Sequence, residues 1–241
     1  MANPIKHNIP NAVTCLNLLS GCVGVVFAFR GQFDVVAYCM LASGFFDLMD
    51  GLVARALGVS SAIGRELDSL ADVVSFGFLP GVIYFQLLSR TLSTSASPSS
   101  YPDWLPYLGF IVVLFSAIRL AKFNLDERQQ SDFIGLNTPM NAFYVLSLAF
   151  IAQSSPIALI TELVSHPLFL LASIGLTSWL LVSESRLFSR KSKSLGWQEN
   201  RFKYLFLMVS AGLLVALQMS AIPVILILYF GFSALHFRVG K

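Results

Sequence analysis

Apolar residues run along this chain in eight long stretches, near 11–29, 33–56, 66–89, 105–124, 139–157, 166–183, 204–219 and 221–237, with short polar breaks between them. A helix crosses a bilayer with about 20 predominantly apolar residues. Inside the hydrocarbon each backbone amide must find a partner within its own segment, which a helix provides. The pattern predicts an all-α, polytopic transmembrane bundle of about eight spans, forming a single integral-membrane domain over residues 1–241. Pro156 and Pro223 fall near the ends of the fifth span and the last two, where proline ends or kinks a helix. The first run leads directly into the second with no small-residue cleavage site between them, so no cleavable leader is expected.

Composition agrees with this reading. Of 241 residues 56% are hydrophobic and only 12% are charged, about half the charge of a soluble domain. Membrane lipids are the expected surroundings, and nothing in the chain points to nucleic acid. Cys15, Cys22 and Cys39 all sit in apolar segments without metal-ligand spacing and are expected as small buried hydrophobes.

The net charge of +3 matters less than where the cations lie. If the N-terminus is cytoplasmic, Lys6, Arg55, Arg65, Arg119, Lys122, Arg128, Arg186, Arg190, Lys191, Lys193, Arg201, Lys203, Arg238 and Lys241 fall on one side. Arg30 and Arg90 alone fall on the other. Cytoplasmic loops of membrane proteins carry such an excess of Lys and Arg, and losing one span would scramble it. The chain is therefore expected in the cytoplasmic membrane, crossing it an even number of times with both termini inside. The cation-free TLSTSASPSSYPDW (91–104) reads as an external loop. The basic SRLFSRKSKSLGWQENRFK (185–203) reads as a cytoplasmic loop lying on anionic headgroups.

Against this background four acids stand out. Asp47 and Asp50 close the second span, and Asp68 and Asp72 open the third. Spacings of three and four put each pair on one helical face. The short connection ALGVSSAIG makes the two helices antiparallel neighbours, so both faces can address one cavity at the cytoplasmic surface. An aspartate within the hydrocarbon costs about 2.5–3.5 kcal/mol, and four like charges repel one another besides. Protonation, salt bridges to Arg55 and Arg65, or bound divalent cations could relieve that cost. Hard oxygen ligands suit magnesium, manganese or calcium, and two such ions would offset four negative charges. Gly51 and Ala54 on one helix and Gly64 on the other allow close helix approach, or a flat ligand against backbone. Arg55 is placed to meet a phosphate. Metals, an arginine and a cavity at headgroup level together suggest phosphoryl chemistry on a lipid.

The stretch DLMDGLVARALGVSSAIGRELDSLAD (47–72) fits the pattern DxxDGxxAR, eight residues, then GxxxDxxxD. This resembles the signature of the CDP-alcohol phosphotransferase family. The resemblance implies a helical membrane enzyme with a six-helix core, a two-metal site and a homodimeric assembly. It also implies displacement of CMP from a CDP-linked donor by an alcohol. By that resemblance Asp47, Asp50, Asp68 and Asp72 would be metal ligands, with Asp72 also the general base. Gly51, Ala54, Arg55, Ser61 and Gly64 would contact the CDP moiety. Asn11 and Thr14, in the N-x-x-T of span one, would line the nucleotide site, although Asn11 could equally cap the helix. The last two spans would be additions to the core.

The acceptor is addressed by SAIRLAKFNLDERQQSDFIGLNTPMNA (116–142). RLAKFN followed by FIGLNTP resembles the bacterial membrane-integral phosphatidylserine synthases within the family. Lys122, Asn137, Met140 and Asn141 depart from the usual pattern. The resemblance implies CDP-diacylglycerol as donor and L-serine as acceptor. Arg119 and Lys122 offer cations for the serine carboxylate, unless they merely snorkel to the interface, and Asn124 follows them. Glycerol 3-phosphate or an inositol phosphate would be the acceptor of a sister enzyme, with a denser basic pocket. A cation transporter would instead spread its acids through the membrane depth, and these four gather at one surface.

Overall fold

A computed structural model describes residues 4–59, 61–94, 101–125, 133–155, 157–187 and 197–239. Of the features read from the sequence, Arg128, Arg190, Lys191, Lys193, Lys241, Pro156 and the middles of the 91–104 and 185–203 loops lie outside these residues.

The chain folds as a helical bundle. Its helices are α1 (Pro4–Phe29), α2 (Phe33–Leu57), α3 (Ala62–Asp72), α4 (Leu79–Thr94), α5 (Ile111–Leu125), α6 (Thr138–Ser154), α7 (Ala158–Val164), α8 (Pro167–Val182), α9 (Trp197–Leu217) and α10 (Ile222–Val239). A 3-10 turn, Leu105–Phe110, leads into α5. Among the described residues the one strand pairing is a two-residue antiparallel ribbon of β1 (Phe133–Ile134) and β2 (Arg186–Leu187), with Phe133 opposite Leu187.

Helices α3 and α4 form one continuous 33-residue segment, Ala62–Thr94. At 1.5 Å per residue it is about 50 Å long, more than the roughly 30 Å of hydrocarbon. The strongly amphipathic α3 is the end with reason to stand clear of the lipid core. Between the two helices, Val73–Phe78 adopts π geometry, and the Leu79 N–H bonds to the Val74 carbonyl five residues back. Pro80 accounts for the distortion: it has no N–H for the Phe76 carbonyl, and its ring crowds the preceding turn.

Among the described residues four segments besides the C-terminal one are long and apolar enough to span: Asn8–Phe29, Phe33–Leu57, Ala62–Thr94 and Leu105–Leu125. Helix α6 is only 17 residues. The fifth span expected at 139–157 ends instead at Ser154, and the short α7, not foreseen, follows and meets α8 at a bend of 63°. Helix α1 begins earlier than expected, at Pro4, and the third span reaches from 62 to 94. The apolar Tyr204–Ser233 is a hairpin, as the two expected C-terminal spans require. Gln218, at φ +51°, breaks it. The Phe206 ring then lies 5.6 Å from Tyr229, where a straight helix would hold them about 34 Å apart.

The main apolar cluster takes its buried residues from α1 to α8, whereas Tyr229 centres a small separate cluster with Phe206, Phe232 and Met140. Tyr84 and Tyr144 both hydrogen-bond the Ser173 hydroxyl, at 2.7 and 2.9 Å, and so fix the register of α4, α6 and α8. Outward-facing Leu19, Tyr38, Phe45, Trp179 and Ile227 leave the bundle with an apolar exterior suited to lipid. Cys15 and Cys22 lie on that exterior and Cys39 is half-buried, so the expectation of three buried cysteines does not hold. Cys15 and Cys22 occupy the outward-facing side of α1, where an apolar residue needs no protein neighbour.

The bundle has two chemically different ends. At one, the Arg90 guanidinium lies over the Phe33 ring at 5.4 Å, and Gln86 donates to the Phe29 carbonyl beside Arg30. At the other lie Arg55, Arg65 and the four aspartates. Asn124 of α5 reaches Ser69 of α3 there, 2.8 Å away.

The crossing of α1 with the segment after α3 is the tightest in this region. The Asn17 carbonyl accepts hydrogen bonds from Ser43 of α2 (3.2 Å) and from Ser75 of the π segment (3.1 Å). One turn on, a Cβ at Gly21 would sit 2.9 Å from the Ser75 Cα. Gly21→Val is therefore expected to lower stability by about 1–3 kcal/mol, the usual cost of overpacking. A detergent-solubilised variant that melts at the wild-type temperature would contradict this packing.

Candidate active site

Helix α2 carries Asp47 and Asp50 to the end of the bundle, and α3 brings Asp68 and Asp72 back along it. One carboxylate oxygen from each of Asp47, Asp50 and Asp68 lies within 4.8 Å of the others. Asp50 is 8% exposed, and Asp72 is 9% exposed. Asp72 lies outside the group of three and one turn deeper. Each pair is pinned from α1: the Thr14 hydroxyl donates to Asp50 Oδ2 at 2.6 Å, and the Asn17 amide donates to Asp72 Oδ1 at 3.2 Å. Among the described residues none of the four carboxylates is ion-paired with a lysine or arginine, so salt bridges to Arg55 and Arg65 do not explain the cluster.

The donor set fits a hard divalent cation. Oxygens coordinating one ion at 2.0–2.6 Å lie no more than about 5 Å apart, which the three carboxylates satisfy. Asp68 Oδ1 and Asn17 Oδ1 are buried without any hydrogen-bond partner. Unsatisfied buried oxygens are rare in folded proteins, and here they lie beside carboxylates already converging on one point.

Beside the carboxylates opens a cavity of about 270 Å³, lined by Pro10, Asn11, Thr14, Asp50, Gly51, Ala54, Val59, Ser61, Gly64, Arg65 and Asp68. Of the residues expected to contact CDP, Asn11, Thr14, Gly51, Ala54, Ser61 and Gly64 are thus brought together. Ser61 also caps α3, accepting from the Gly64 N–H at 2.9 Å. The absence of a side chain at Gly64 keeps the cavity open, because a Cβ there would lie 2.9 Å from Ser61 Oγ and 3.0 Å from Asn11 Oδ1. Arg55 is exposed at the rim, its guanidinium 3.5 Å from where a Gly51 Cβ would stand.

The expected acceptor residues are not brought together in this way. Arg119 is 7% exposed, with its guanidinium carbon 5.8 Å from the Phe123 ring centre. Lys122 is exposed, and Asn124 is held by Ser69. Pro10, Val59, Arg65 and the clasp by Asn17 were not anticipated. For Asn17 a signal existed, since it lies three residues after Thr14 and so continues the same face of α1.

Comparison with known proteins bears on this geometry. A family model described as CDP-alcohol phosphatidyltransferase matches residues 7–182, ending at the last residue of α8. A CDP-diacylglycerol–serine O-phosphatidyltransferase of Mycobacterium leprae is 32% identical over 147 residues, covering 58% of this chain and 46% of the relative. Its namesake from Helicobacter pylori strain J99 is 32% identical over 146 residues, covering 60% and 57%. An archaetidylserine synthase of Methanothermobacter thermautotrophicus is 29% identical over 168 residues, covering 64% and 68%. The chain spans about half the length of the first two.

A site of this kind makes stability depend on divalent cations. At a concentration 100 times the dissociation constant, an ion that binds only the folded state adds about 2.7 kcal/mol. Mn2+ or Mg2+ should therefore raise the melting temperature of the purified protein, and chelation should reverse the rise. Asp68→Ala should abolish it. An equal rise in the variant would place the ion elsewhere.

Proposed function

Because the chain belongs to the CDP-alcohol phosphatidyltransferase family, we propose that it transfers the phosphatidyl group of CDP-diacylglycerol to the hydroxyl of L-serine, forming phosphatidylserine and CMP. The observation that carries this reading is the convergence of three carboxylate oxygens within 4.8 Å beside a cavity lined by the rest of the signature. Serine as acceptor is supported by the relatives, two named for transfer to serine and one for making archaetidylserine.

In this reading Asp47, Asp50, Asp68 and Asp72 hold two divalent cations, Mg2+ or Mn2+, with Ca2+ a further candidate. Such ions, when bound, stabilise charge on the transferred and leaving phosphates. The cytidine nucleotide lies in the cavity against the bare backbone of Gly51 and Gly64 and beside Ala54. Asn11, Thr14 and Ser61 supply polar contacts, and Arg55 at the rim meets the pyrophosphate through its planar donors. Asp72 acts as general base. Asn17 occupies one of its oxygens and leaves the other for the acceptor's proton. The serine oxygen then bonds to the phosphorus carrying diacylglycerol, and the bond from that phosphorus to the CMP oxygen breaks. CMP departs with the electron pair. Arg119 supplies a buried cation for the serine carboxylate, with Lys122 and Asn124 nearer the membrane surface.

The aspartate end then faces the cytoplasm, an orientation that the cation distribution supports. The enzyme is a multi-pass protein of the cytoplasmic membrane, acting as a homodimer. Helices α9 and α10, beyond the matched region, are peripheral to the catalytic core.

The purified protein, given CDP-diacylglycerol and Mn2+ or Mg2+, should release CMP with L-serine in preference to glycerol 3-phosphate or an inositol phosphate. Absence of CMP release with L-serine would sink the serine reading. Asp72→Asn should lower kcat by at least about 10²-fold, the lower range for loss of a general base, with the melting temperature of the metal-free protein unchanged. Turnover retained in that variant would remove Asp72 from the role.

A further inference from the structure

A second cavity shares no lining residue with the one beside the carboxylates. It is a cleft of about 860 Å³, within the about 300–1,000 Å³ usual for small-molecule sites. Helix α8 packs on α5, while α10 packs on α6 and α9, and the cleft is the gap left between α8 and α10 with α6 as its floor. Leu176 and Leu180 line it from α8, and Val224, Ile227 and Phe230 from α10. Its walls are open at the side, since Leu176 is 56% and Ile227 72% exposed.

The two ends of the cleft differ. Gln153, beside Ser154 at the close of α6, donates to the Gly31 carbonyl at 3.4 Å, which puts this end with Arg30 and away from the aspartates. The lining there is Ser154, Ser155, Gln218 and Ser220, all polar and uncharged. The cleft then runs inward to Tyr144 on α6 and Leu180 on α8. From Ser154 to Tyr144 is about 15 Å of helix, and from Phe169 to Leu180 about 16 Å, close to half of the roughly 30 Å of hydrocarbon. The inner part is apolar in effect. Its two hydroxyls are already engaged, Tyr144 with the Ser173 hydroxyl and Thr177 with the Ser173 carbonyl, each at 2.9 Å. No lysine, arginine, aspartate or glutamate lines any part of it.

We propose that this cleft is a second lipid site, which takes an acyl chain of a phospholipid from the leaflet opposite the aspartates, with the polar part of that lipid at Ser154, Ser155, Gln218 and Ser220. An apolar cleft open sideways to a bilayer fills with hydrocarbon rather than with water. Its length matches the depth of one leaflet, and its one polar end fixes which leaflet. The donor of the reading above carries its head at the carboxylates, the opposite end, so the occupant is a different lipid. With no charged side chain in the lining, the site selects for the chain and not for the charge of the headgroup. The occupant also fills the space between α8 and the C-terminal hairpin, which lies beyond the family match, and so joins that hairpin to the core.

The test is photolabelling of the full-length protein in phosphatidylcholine vesicles containing phosphatidylcholine with a diazirine in one acyl chain, mapped by mass spectrometry. Labelling around Leu176 and Ile227 should exceed that around the outward-facing Tyr38 and Leu114 by at least about tenfold, the mark of a site over general lipid contact. Leu176→Trp combined with Ile227→Trp narrows the cleft and should bring labelling of α8 and α10 down to the level at Tyr38 and Leu114. If that pair does not fold, Val224→Trp carries the same expectation and the same refutation. A phosphatidylglycerol probe should label as strongly as phosphatidylcholine, and a clear preference for the anionic probe would contradict the uncharged lining. Uniform labelling of all outward faces, or labelling untouched by the tryptophans, would reduce the cleft to ordinary surrounding lipid and overturn the proposal. Loss of label on adding CDP-diacylglycerol with Mn2+ would make this the donor's own tail site, and cross-links between two copies through the cleft would make it a protein interface; either result overturns it. None of these readouts needs turnover, so failure of the serine reading leaves the outcome unchanged.

Discussion

Four carboxylates gathered at one end of an apolar bundle set the terms for the rest of this molecule. Two ionised groups about 5 Å apart repel by on the order of 3 kcal/mol at an effective dielectric near 20. Asp47, Asp50 and Asp68 lie at least that close together, and burial adds to the cost. A cluster of this kind persists only if some of its carboxyls are protonated or something positive occupies its centre. Arginine does not do so among the described residues, and divalent cations fit the oxygens that converge there.

The architecture serves that cluster. Two antiparallel helices alone would let the aspartate pairs splay apart, so α1 is threaded across both. Thr14 holds Asp50, Asn17 holds Asp72, and the Asn17 carbonyl collects hydroxyls from α2 and the π segment. The π turn forced by Pro80 follows directly on Asp72. It brings Ser75 under Asn17 and Gly77 against Ser116. That distortion therefore helps to close the clasp that Asn17 makes on Asp72.

Much of this was legible in the sequence because lipid simplifies the code. Apolar runs mark spans, and cations mark sides. Arg30 and Arg90 do lie at the end away from the aspartates. The spacing of Asp47, Asp50, Asp68 and Asp72 was enough to predict shared helical faces, and Gly51, Ala54 and Gly64 were recognisable as a bared surface. Contacts that depend on exact register were not legible. Arg119 and Lys122 are three apart, yet the bundle buries the first and leaves the second exposed. The π turn arises from Pro80, and its consequences, like the break after Ser154 and the short α7, depend on neighbouring helices. Cys15 and Cys22 look like core residues, but in a membrane an apolar residue serves equally well facing outward.

The central claim is that the aspartates form a divalent-cation site, and locating the ion tests it most directly. Anomalous scattering from crystals of the protein grown with Mn2+ should show a peak about 2.0–2.6 Å from oxygens of Asp47, Asp50 and Asp68. No peak at saturating Mn2+, with Arg55 or Arg65 turned in to pair with the carboxylates instead, would contradict the account.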